Sequence, residues 1–367
     1  MQFIAPRSDL NTVTQITQRA ISLRSPLPIL SCLYFETGDN ILTVTATDLE
    51  FGIRCTLPVT TLLEGSAALP AKYVTSLLNK LPDIDINVCC DVSNNNTSFT
   101  YGDSELVLNG YPADEFPRFP DLPQTPALKI KQNVFKRMLK RVLFAVSNDE
   151  RRPIFTGVHI RLNEKGVLSM VATDTRKLAV CEENLEIPRD RLINVIVPGK
   201  ALNELYKLID AVDDEFDLYL TENQIFFVIG NTCLMTRLIA GQYPDYQVVI
   251  PARYECEVKA PLNDLLEAAE RASLLIDTKR NVFNISFQSQ GLMIYFYTES
   301  GRIREELMAD FSGNPIDVGF NVRLFIELLR SMDSENVIIK LSGRESPALF
   351  LPVDQEGYFS LLVPAVA

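Results

Sequence analysis

Four basic residues that share one helix face are the feature of this sequence most able to do chemistry together. They are Lys136, Arg137, Lys140 and Arg141. At helical spacing they occupy one side, and the other side carries apolar residues, namely Phe135, Met138, Leu139, Val142, Leu143 and Val146. Like charges at i and i+4 repel each other, so this face favours a polyanion opposite it. The alternative is a solvated face, for which mixed charges would be less costly.

The charge around this helix differs from that of the rest of the chain. Residues 122–148 contain no acidic residue and six basic ones, which include Lys129 and Lys131, whereas the net charge of the chain is −12. An acidic total argues against a general nucleic-acid binder. The sequence therefore predicts one basic surface on an otherwise acidic protein.

Other patterns that could carry catalysis are weak. His159 is the single histidine and lies in a strand-like alternating stretch, which favours a structural role. Neither GxxxxGK[ST] nor GxGxxG occurs, and the acidic run Asp213–Glu215 reads as a solvated turn. We predict no cofactor and no catalytic residue. An enzyme with a carboxylate site in one repeat remains the competing interpretation.

Composition limits the class of protein. The chain has 367 residues, of which 47% are hydrophobic and 22% charged, as expected for a globular protein of two or three domains. No run approaches the roughly 18 apolar residues of a membrane helix, and the start MQFIAPRSDL does not resemble a signal peptide. Seven cysteines without a CxxC pair indicate reduced thiols, a cytoplasmic location and no metal site.

The elements that must position these residues are repeated three times. TATDLEFGI at Thr45 returns as VATDTRKLA at Val171, and LPAKYVTSLLNKL at Leu69 returns as VPGKALNELYKLI at Val197 and, more loosely, as GFNVRLFIELLRSM at Gly319. The offset of about 125 residues is too long for a solenoid repeat. It predicts three tandem α+β domains, each with two helices and several strands, over residues 1–121, 122–251 and 252–367. The Pro-rich run YPADEFPRFPDLPQTP is the first linker, and the stretch around Pro244 and Pro251 is the second.

The repeated Thr-Asp pair has two interpretations. Asp48 and Asp174 each follow a strand-like run, where an aspartate commonly stabilises a turn. A catalytic carboxylate is the alternative, and we predict the turn.

Several motifs in the same order resemble the bacterial DNA polymerase III β subunits, the sliding clamps. The resemblance spans all three repeats, and its most specific carriers are YPADEFPRFP, FAVSNDERRPIFTGV, VATDTRKLAV, VPGKALNEL, RLIAGQYPDYQVVIP and SLLVPAVA. It implies three clamp domains, each with two helices packed on antiparallel sheets, and a head-to-tail homodimer that closes as a ring around double-stranded DNA. Such a ring is a non-catalytic processivity factor of replication and repair, and it has no membrane partner. A monomeric peptide-binding scaffold is the remaining alternative.

The resemblance also implies three sets of residues. Sequence-independent DNA contacts fall on Arg24, Lys136, Arg137, Lys140, Arg141, Arg152 and Lys200. The dimer interface includes Leu274 and Leu275. The DNA polymerase III α subunit, the clamp loader, other polymerases and repair proteins dock short peptide motifs in an apolar pocket. Its residues are Phe155, Thr173, Thr175, Arg176, Leu178, Pro244, Val249, Leu362, Val363 and Pro364.

Overall fold

The computed structural model describes residues 1–22, 27–185, 192–275 and 281–365. Within these ranges the chain forms six α-helices and 26 strands, and every strand pair is antiparallel. The elements recur three times in one order: a strand, a helix, a group of strands, a second helix and three further strands. Two helices and several strands in each repeat agree with the prediction.

The first repeat contains two helices, α1 (Arg7–Thr17) and α2 (Ala71–Lys80). Its strands are β1 (Gln2–Pro6), β2 (Cys32–Gly38), β3 (Ile41–Thr47), β4 (Phe51–Pro58), β5 (Thr60–Leu63), β6 (Gly65–Pro70), β7 (Asp85–Asp91), β8 (Asn96–Tyr101) and β9 (Ser104–Asn109).

The second repeat contains α3 (Gln132–Val142) and α4 (Gly199–Leu208). Its strands are β10 (Leu128–Lys131), β11 (Gly157–Leu162), β12 (Val167–Thr173), β13 (Lys177–Asn184), β14 (Ile193–Pro198), β15 (Glu215–Leu220), β16 (Gln224–Ile229) and β17 (Thr232–Arg237).

The third repeat contains α5 (Leu262–Ser273) and α6 (Val322–Arg330). Its strands are β18 (Cys256–Pro261), β19 (Val282–Gln288), β20 (Gly291–Thr298), β21 (Gly301–Leu307), β22 (Asp310–Gly313), β23 (Ile316–Asn321), β24 (Asn336–Leu341), β25 (Ala348–Pro352) and β26 (Tyr358–Leu362).

Most of the helices start without a connecting loop. Pro6, Pro70, Pro198 and Pro261 each end a strand, and the next residue begins a helix. Proline fixes φ near −65° and lacks the N–H that the first turn of a helix leaves unpaired. α6 differs, because the Asn321 side chain caps it by accepting a hydrogen bond from the Leu324 N–H at 3.2 Å. The helices bury apolar faces such as Leu10 and Val13 of α1.

The chain divides into two compact units that do not coincide with the repeats. Unit 1 comprises residues 1–133 and 203–238, and unit 2 comprises 134–202 and 239–367. In unit 1 one sheet has the order β5-β1-β7-β8-β9 and the other β10-β15-β16-β17-β4-β3-β2-β6. In unit 2 the orders are β14-β11-β12-β13-β26-β25-β24-β18-β22 and β21-β20-β19-β23.

Two strand pairs carry the sheets from one repeat to the next. In unit 1, β17 of the second repeat pairs with β4 of the first, so that Cys233 lies opposite Arg54. In unit 2, β26 of the third repeat pairs with β13 of the second, so that Leu361 lies opposite Leu178. In each case the last strand of one repeat pairs with the strand that follows the second β-hairpin turn of the repeat before it.

The repeated Thr-Asp pair forms the same turn twice, which confirms its predicted structural role. The Asp48 carboxylate accepts hydrogen bonds from the Glu50 and Phe51 N–H groups at 3.1 and 2.7 Å. The Asp174 carboxylate accepts from the N–H groups two and three residues on, at 2.8 and 2.9 Å. In both turns the residue after the aspartate is left-handed: Leu49 has φ 79° and Thr175 has φ 76°.

Thr175 is therefore a strained residue, because a β-branched side chain is disfavoured at positive φ. We expect Thr175→Gly to raise the free energy of unfolding by about 1 kcal/mol, since glycine adopts this conformation without strain. Urea denaturation of the variant and the parent measures the difference. Thr156→Gly, at a half-buried position of the 3-10 turn Pro153–Thr156 where φ is not positive, is the control and should not stabilise; an equal gain in both would contradict the strain at Thr175.

Candidate DNA-contacting and peptide-binding surfaces

The basic face of α3 is largely matched by acids of unit 2. The Arg137 guanidinium lies 3.0 Å from the Glu183 carboxylate, and the Lys140 ammonium pairs with Asp333. Both cations are 37% exposed, so these pairs are partly solvated and weak. A phosphate could exchange with either acid at little cost, and both residues stay available to a polyanion.

Arg141 is the exception on this helix, and the expectation of a phosphate contact there is corrected. Its side chain is 5% exposed. The guanidinium donates a hydrogen bond to the Gln355 side-chain oxygen at 2.7 Å and lies 5.2 Å from the centroid of the Tyr358 ring. Burial raises the pKa of Tyr358 to about 12, so this phenol is neutral beside the cation. Helical spacing places Arg141 beside the other cations, but the sheet strand β26 covers it.

The remaining predicted DNA contacts among the described residues lie on α3, on α4 and in the loop before β11. Arg152 and Lys200 are exposed, Lys136 is partly exposed, and all three belong to unit 2. Arg24 lies outside the described residues. A distributed set of cations suits a sequence-independent backbone contact better than base readout.

An apolar cavity of about 240 Å³ lies in unit 2, between the β12–β13 turn, the second linker and the end of β26. Eight of the ten residues predicted for the pocket line it: Phe155, Thr173, Thr175, Arg176, Leu178, Pro244, Val249 and Val363. The other lining residues, which are outside the ten predicted ones, are Lys177, Asp245, Tyr246, Pro347 and Leu361.

Leu362 and Pro364 are not among the lining residues, which corrects these two predictions. Side chains alternate across a strand, so a shift of one residue moves a side chain to the opposite face. Leu361 lies opposite Leu178 and joins its apolar cluster, whereas Leu362 is fully buried on the other face. Counting back by two from Val363 would have selected Leu361. No comparable pattern marks Pro347, which reaches the cavity through the tertiary fold.

The aromatic wall of the cavity is held by stacked rings. The Phe155 ring meets Tyr243 edge-on at 6.4 Å between centroids, and Tyr243 stacks on His159 at 5.0 Å. The His159 ring nitrogen Nε2 is hydrogen-bonded to the Asn194 side chain at 2.7 Å. These contacts confirm a structural role for the single histidine, and they fix the wall before any ligand enters.

The C-terminal tail is fastened by its backbone next to the cavity. The Val363 N–H donates to the Arg176 carbonyl at 2.8 Å, and the Ala365 N–H donates to the Gly319 carbonyl at 2.8 Å. A side chain on Gly319 would be incompatible with this path, since its Cβ would lie 2.4 Å from the Ala365 carbonyl oxygen. The tail therefore forms a fixed edge of the cavity.

Two cations at the cavity differ in availability. Arg176 is exposed at the rim. Lys177 is 6% exposed, and its ammonium lies 2.7 Å from the Glu327 carboxylate and 5.5 Å from the centroid of the Phe144 ring. Lys177 is therefore not available to a ligand, because its charge is already matched inside unit 2. Arg176 alone remains for an acidic or polar flank.

The two predicted interface leucines lie at the end of α5. Leu274 is 81% exposed, and Leu275 packs close to Gly301 at the start of β21. The Arg271 guanidinium binds the Glu305 carboxylate of β21 through two hydrogen bonds of 2.7 Å, and it lowers the pKa of Glu305. α5 and the edge strand β21 thus form one surface with an exposed apolar residue.

Within the described ranges, no group of histidine, cysteine or acidic residues has an arrangement that could hold a metal ion. None of the helices there has the length and apolar character required to cross a lipid bilayer.

Three repeats, each with two helices on antiparallel sheets, and an apolar cavity at the end of the last strand define the class of tandem clamp-domain proteins. The models of the N-terminal, central and C-terminal domains of the DNA polymerase III beta subunit match residues 1–120, 129–245 and 247–365.

Individual proteins agree with the family models. The chain is 30% identical over 375 residues to the beta sliding clamp of Staphylococcus epidermidis, with 99% of each chain covered. The crystal structure of the DNA polymerase sliding clamp from Bacillus subtilis superposes with a TM-score of 0.96 at 29% identity, covering 100% of this chain and 99% of that one. The clamp from Pseudomonas aeruginosa bound to griselimycin gives 0.92 at 26% identity, with both chains fully covered.

The chain therefore belongs to the DNA polymerase III beta subunit family. Its function is that of a DNA sliding clamp in replication.

The structure gives Arg141 a stabilising role, which is open to measurement. We expect Arg141→Ala to lower the free energy of unfolding by about 2–4 kcal/mol, because it removes a charged hydrogen bond and leaves a cavity under Tyr358. Urea denaturation measures this loss. Arg137→Ala on the same helix removes a partly solvated ion pair and should cost less than about 1 kcal/mol; similar small losses for both would place Arg141 at the surface.

Proposed function

We propose that two copies of this chain join head to tail in a closed ring around double-stranded DNA. The observation that supports the proposal most directly is the strand pairing between repeats. β17 pairs with β4, and β26 pairs with β13. The strands that correspond to these pairs in the remaining repeats are β9 of the first and β21 of the third. Both are the last strands of their sheets among the described strands.

An unpaired edge strand exposes a row of N–H and C=O groups and invites another strand. In the dimer, β21 of each copy would pair with β9 of the other copy. Every boundary between repeats would then be crossed by a continuous antiparallel sheet. Two identical junctions close the structure by twofold symmetry, so no edge of this kind remains. Val107 of β9 is 51% exposed and Leu274 is 81% exposed, and this junction would remove both from water.

The DNA contacts in this ring are electrostatic. We assign them to Lys136, Arg152 and Lys200, to the partly solvated Arg137 and Lys140, and to Arg24. Cations that bind phosphate without base contacts release counterions, so the affinity falls with salt and is nearly independent of sequence. A net charge of −12 on the whole chain discourages DNA binding elsewhere on the protein.

The apolar cavity is proposed as the docking site for short peptide motifs of partner proteins. Its walls are aliphatic and aromatic, which suits one or two apolar anchor side chains, and Arg176 is placed for a polar or acidic flank. The partners that we propose are the DNA polymerase III α subunit, the clamp loader, other polymerases and repair proteins. The chain would act in the cytoplasm as a non-catalytic processivity factor with the domain boundaries 1–121, 122–251 and 252–367.

Ring closure is tested by shortening the two leucine side chains at the end of α5. Leu274→Ala with Leu275→Ala should yield folded monomers of 41.3 kDa instead of dimers of twice that mass, and it should abolish retention on closed circular DNA. Sedimentation and DNA retention before and after linearisation measure both effects. The control is Leu62→Ala with Leu63→Ala, a pair of exposed leucines on the edge strand β5. If the Leu274→Ala, Leu275→Ala variant remains dimeric, the interface lies elsewhere. If the parent protein leaves DNA equally fast before and after linearisation, it does not encircle DNA.

Peptide docking is tested at the tail. A buried anchor contributes about 1.5–3 kcal/mol, so deletion of Val363–Ala367 should weaken a polymerase-derived peptide about tenfold or more. Gly319→Val should have a similar effect, because it displaces the tail and leaves the cavity residues unchanged. Calorimetry measures the affinity, and Val353→Ala, a surface valine outside the cavity, is the control. Unchanged affinity in both tail variants would place the docking site elsewhere, whereas DNA retention should persist in all of them.

A further inference from the structure

A polar groove in unit 1 contains a cation without a counterion. The groove holds about 380 Å³ and lies between one face of β2, β3 and β4 and the first linker. Arg54 forms part of its floor, together with Tyr34 and Thr45. None of these residues belongs to the apolar cavity of unit 2, so the groove is a separate site.

The guanidinium of Arg54 is inserted between the sheet and the linker. It lies 4.3 Å from the centroid of the Phe119 ring, and one terminal nitrogen donates a long hydrogen bond of 3.4 Å to the Phe119 carbonyl. The Nε–H group is buried and has no hydrogen-bond partner. Among the described residues no carboxylate forms an ion pair with Arg54. A charge held in this way is costly unless an anion compensates it.

The second repeat supplies an internal comparison in the same strand register. Across the sheet of unit 1, Tyr34 lies opposite Thr45, Thr45 opposite Arg54, and Arg54 opposite Cys233. The matching row of unit 2 runs His159, Val171, Val180 and Phe359.

The linkers cover the two rows in the same way. Phe116 of the first linker stacks on Tyr34 at 5.0 Å, as Tyr243 of the second stacks on His159 at 5.0 Å. In unit 2 this position is closed by an apolar cluster that includes Val171 and Val180. The fold therefore accepts valine where the first repeat has Arg54, and an arginine is not required for a linker to pack on this face.

The charges around the groove indicate the ligand. Arg118 and Glu36 lie at its margins, and both are exposed. With Arg54 they give the groove a net charge of +1. The two terminal nitrogens of a guanidinium can bind the two oxygens of one carboxylate, and the Phe116 ring at the groove offers apolar contact to an adjoining methylene chain.

We propose that this groove binds a carboxylate, supplied by an acidic side chain in a segment of a partner protein. The carboxylate accepts hydrogen bonds from the terminal nitrogens of Arg54, and it neutralises the half-buried charge. The groove is thus a second docking site of the clamp, located in the first repeat. It selects acidic side chains, whereas the apolar cavity selects apolar anchors.

The test uses the full-length protein and two probes that differ in charge alone. N-acetylglutamate N-methylamide should bind about tenfold or more tightly than N-acetylglutamine N-methylamide, as measured by the shift of the Arg54 Nε–H resonance in NMR titrations. Arg54→Lys, which keeps the charge but loses the paired donors, should lower affinity for the acidic probe about tenfold, as measured by calorimetry. Arg237→Lys, an exposed arginine on β17 of the same sheet, should leave that affinity unchanged.

Stability provides an independent arm. Arg54→Met keeps an unbranched side chain as far as the Nε position and removes the uncompensated charge, so it should raise the thermal midpoint by a few degrees and abolish binding of the acidic probe. Equal affinities for the two probes, or an unchanged affinity in Arg54→Lys, would overturn the carboxylate site. A lower midpoint in Arg54→Met would mean that the guanidinium is already satisfied and would also overturn it. If inorganic phosphate binds more tightly than the acidic probe, the ligand of the groove is not an acidic side chain of a partner protein.

Discussion

The antiparallel pairing of strands across repeat boundaries is the constraint on which the rest of this structure depends. β4 with β17 and β13 with β26 turn separate repeats into continuous sheets, and they satisfy backbone groups that would otherwise be exposed at strand edges. The same pairing brings the end of β26 to the β12–β13 turn, which creates the apolar cavity. It also places β4 beside β17, which encloses Arg54 next to Cys233. Assembly and both candidate binding sites therefore follow from one type of contact.

The repeats show how one scaffold acquires different surfaces. The turn after the Thr-Asp pair has the same hydrogen bonds in the first and second repeats. In each repeat an aromatic ring of the linker stacks on the residue that begins the row, which is Tyr34 in the first and His159 in the second. Side chains in equivalent positions then differ. The second repeat has Val180 and an apolar cluster beside its cavity, whereas the first has Arg54 and a polar groove. Backbone geometry is conserved among the copies because hydrogen bonds impose it, and chemistry varies because side-chain positions on a sheet face are individually replaceable.

Buried and half-buried cations in this protein fall into two kinds. Arg141 and Lys177 are matched by Gln355, Tyr358 and Glu327, and they connect the second and third repeats inside unit 2. Arg54 has an aromatic ring and one long hydrogen bond, but no counterion among the described residues. The first kind explains why a run of basic residues in the sequence overstates the charge that a polyanion would meet. The second kind is what a binding site for an anion requires.

The sequence by itself determined the threefold repeat, the two helices of each repeat, the turns at Asp48 and Asp174 and most residues of the apolar cavity. These features depend on local patterns, such as hydrophobic periodicity, proline before a helix and a side chain that bonds its own backbone, and the family resemblance extended them to the cavity. Tertiary structure alone decided that Arg141 is interior, that Leu361 and not Leu362 faces the cavity, and that Pro347 reaches it. Burial of a given side chain depends on which distant strand lies over it, and neither helical spacing nor charge records that strand.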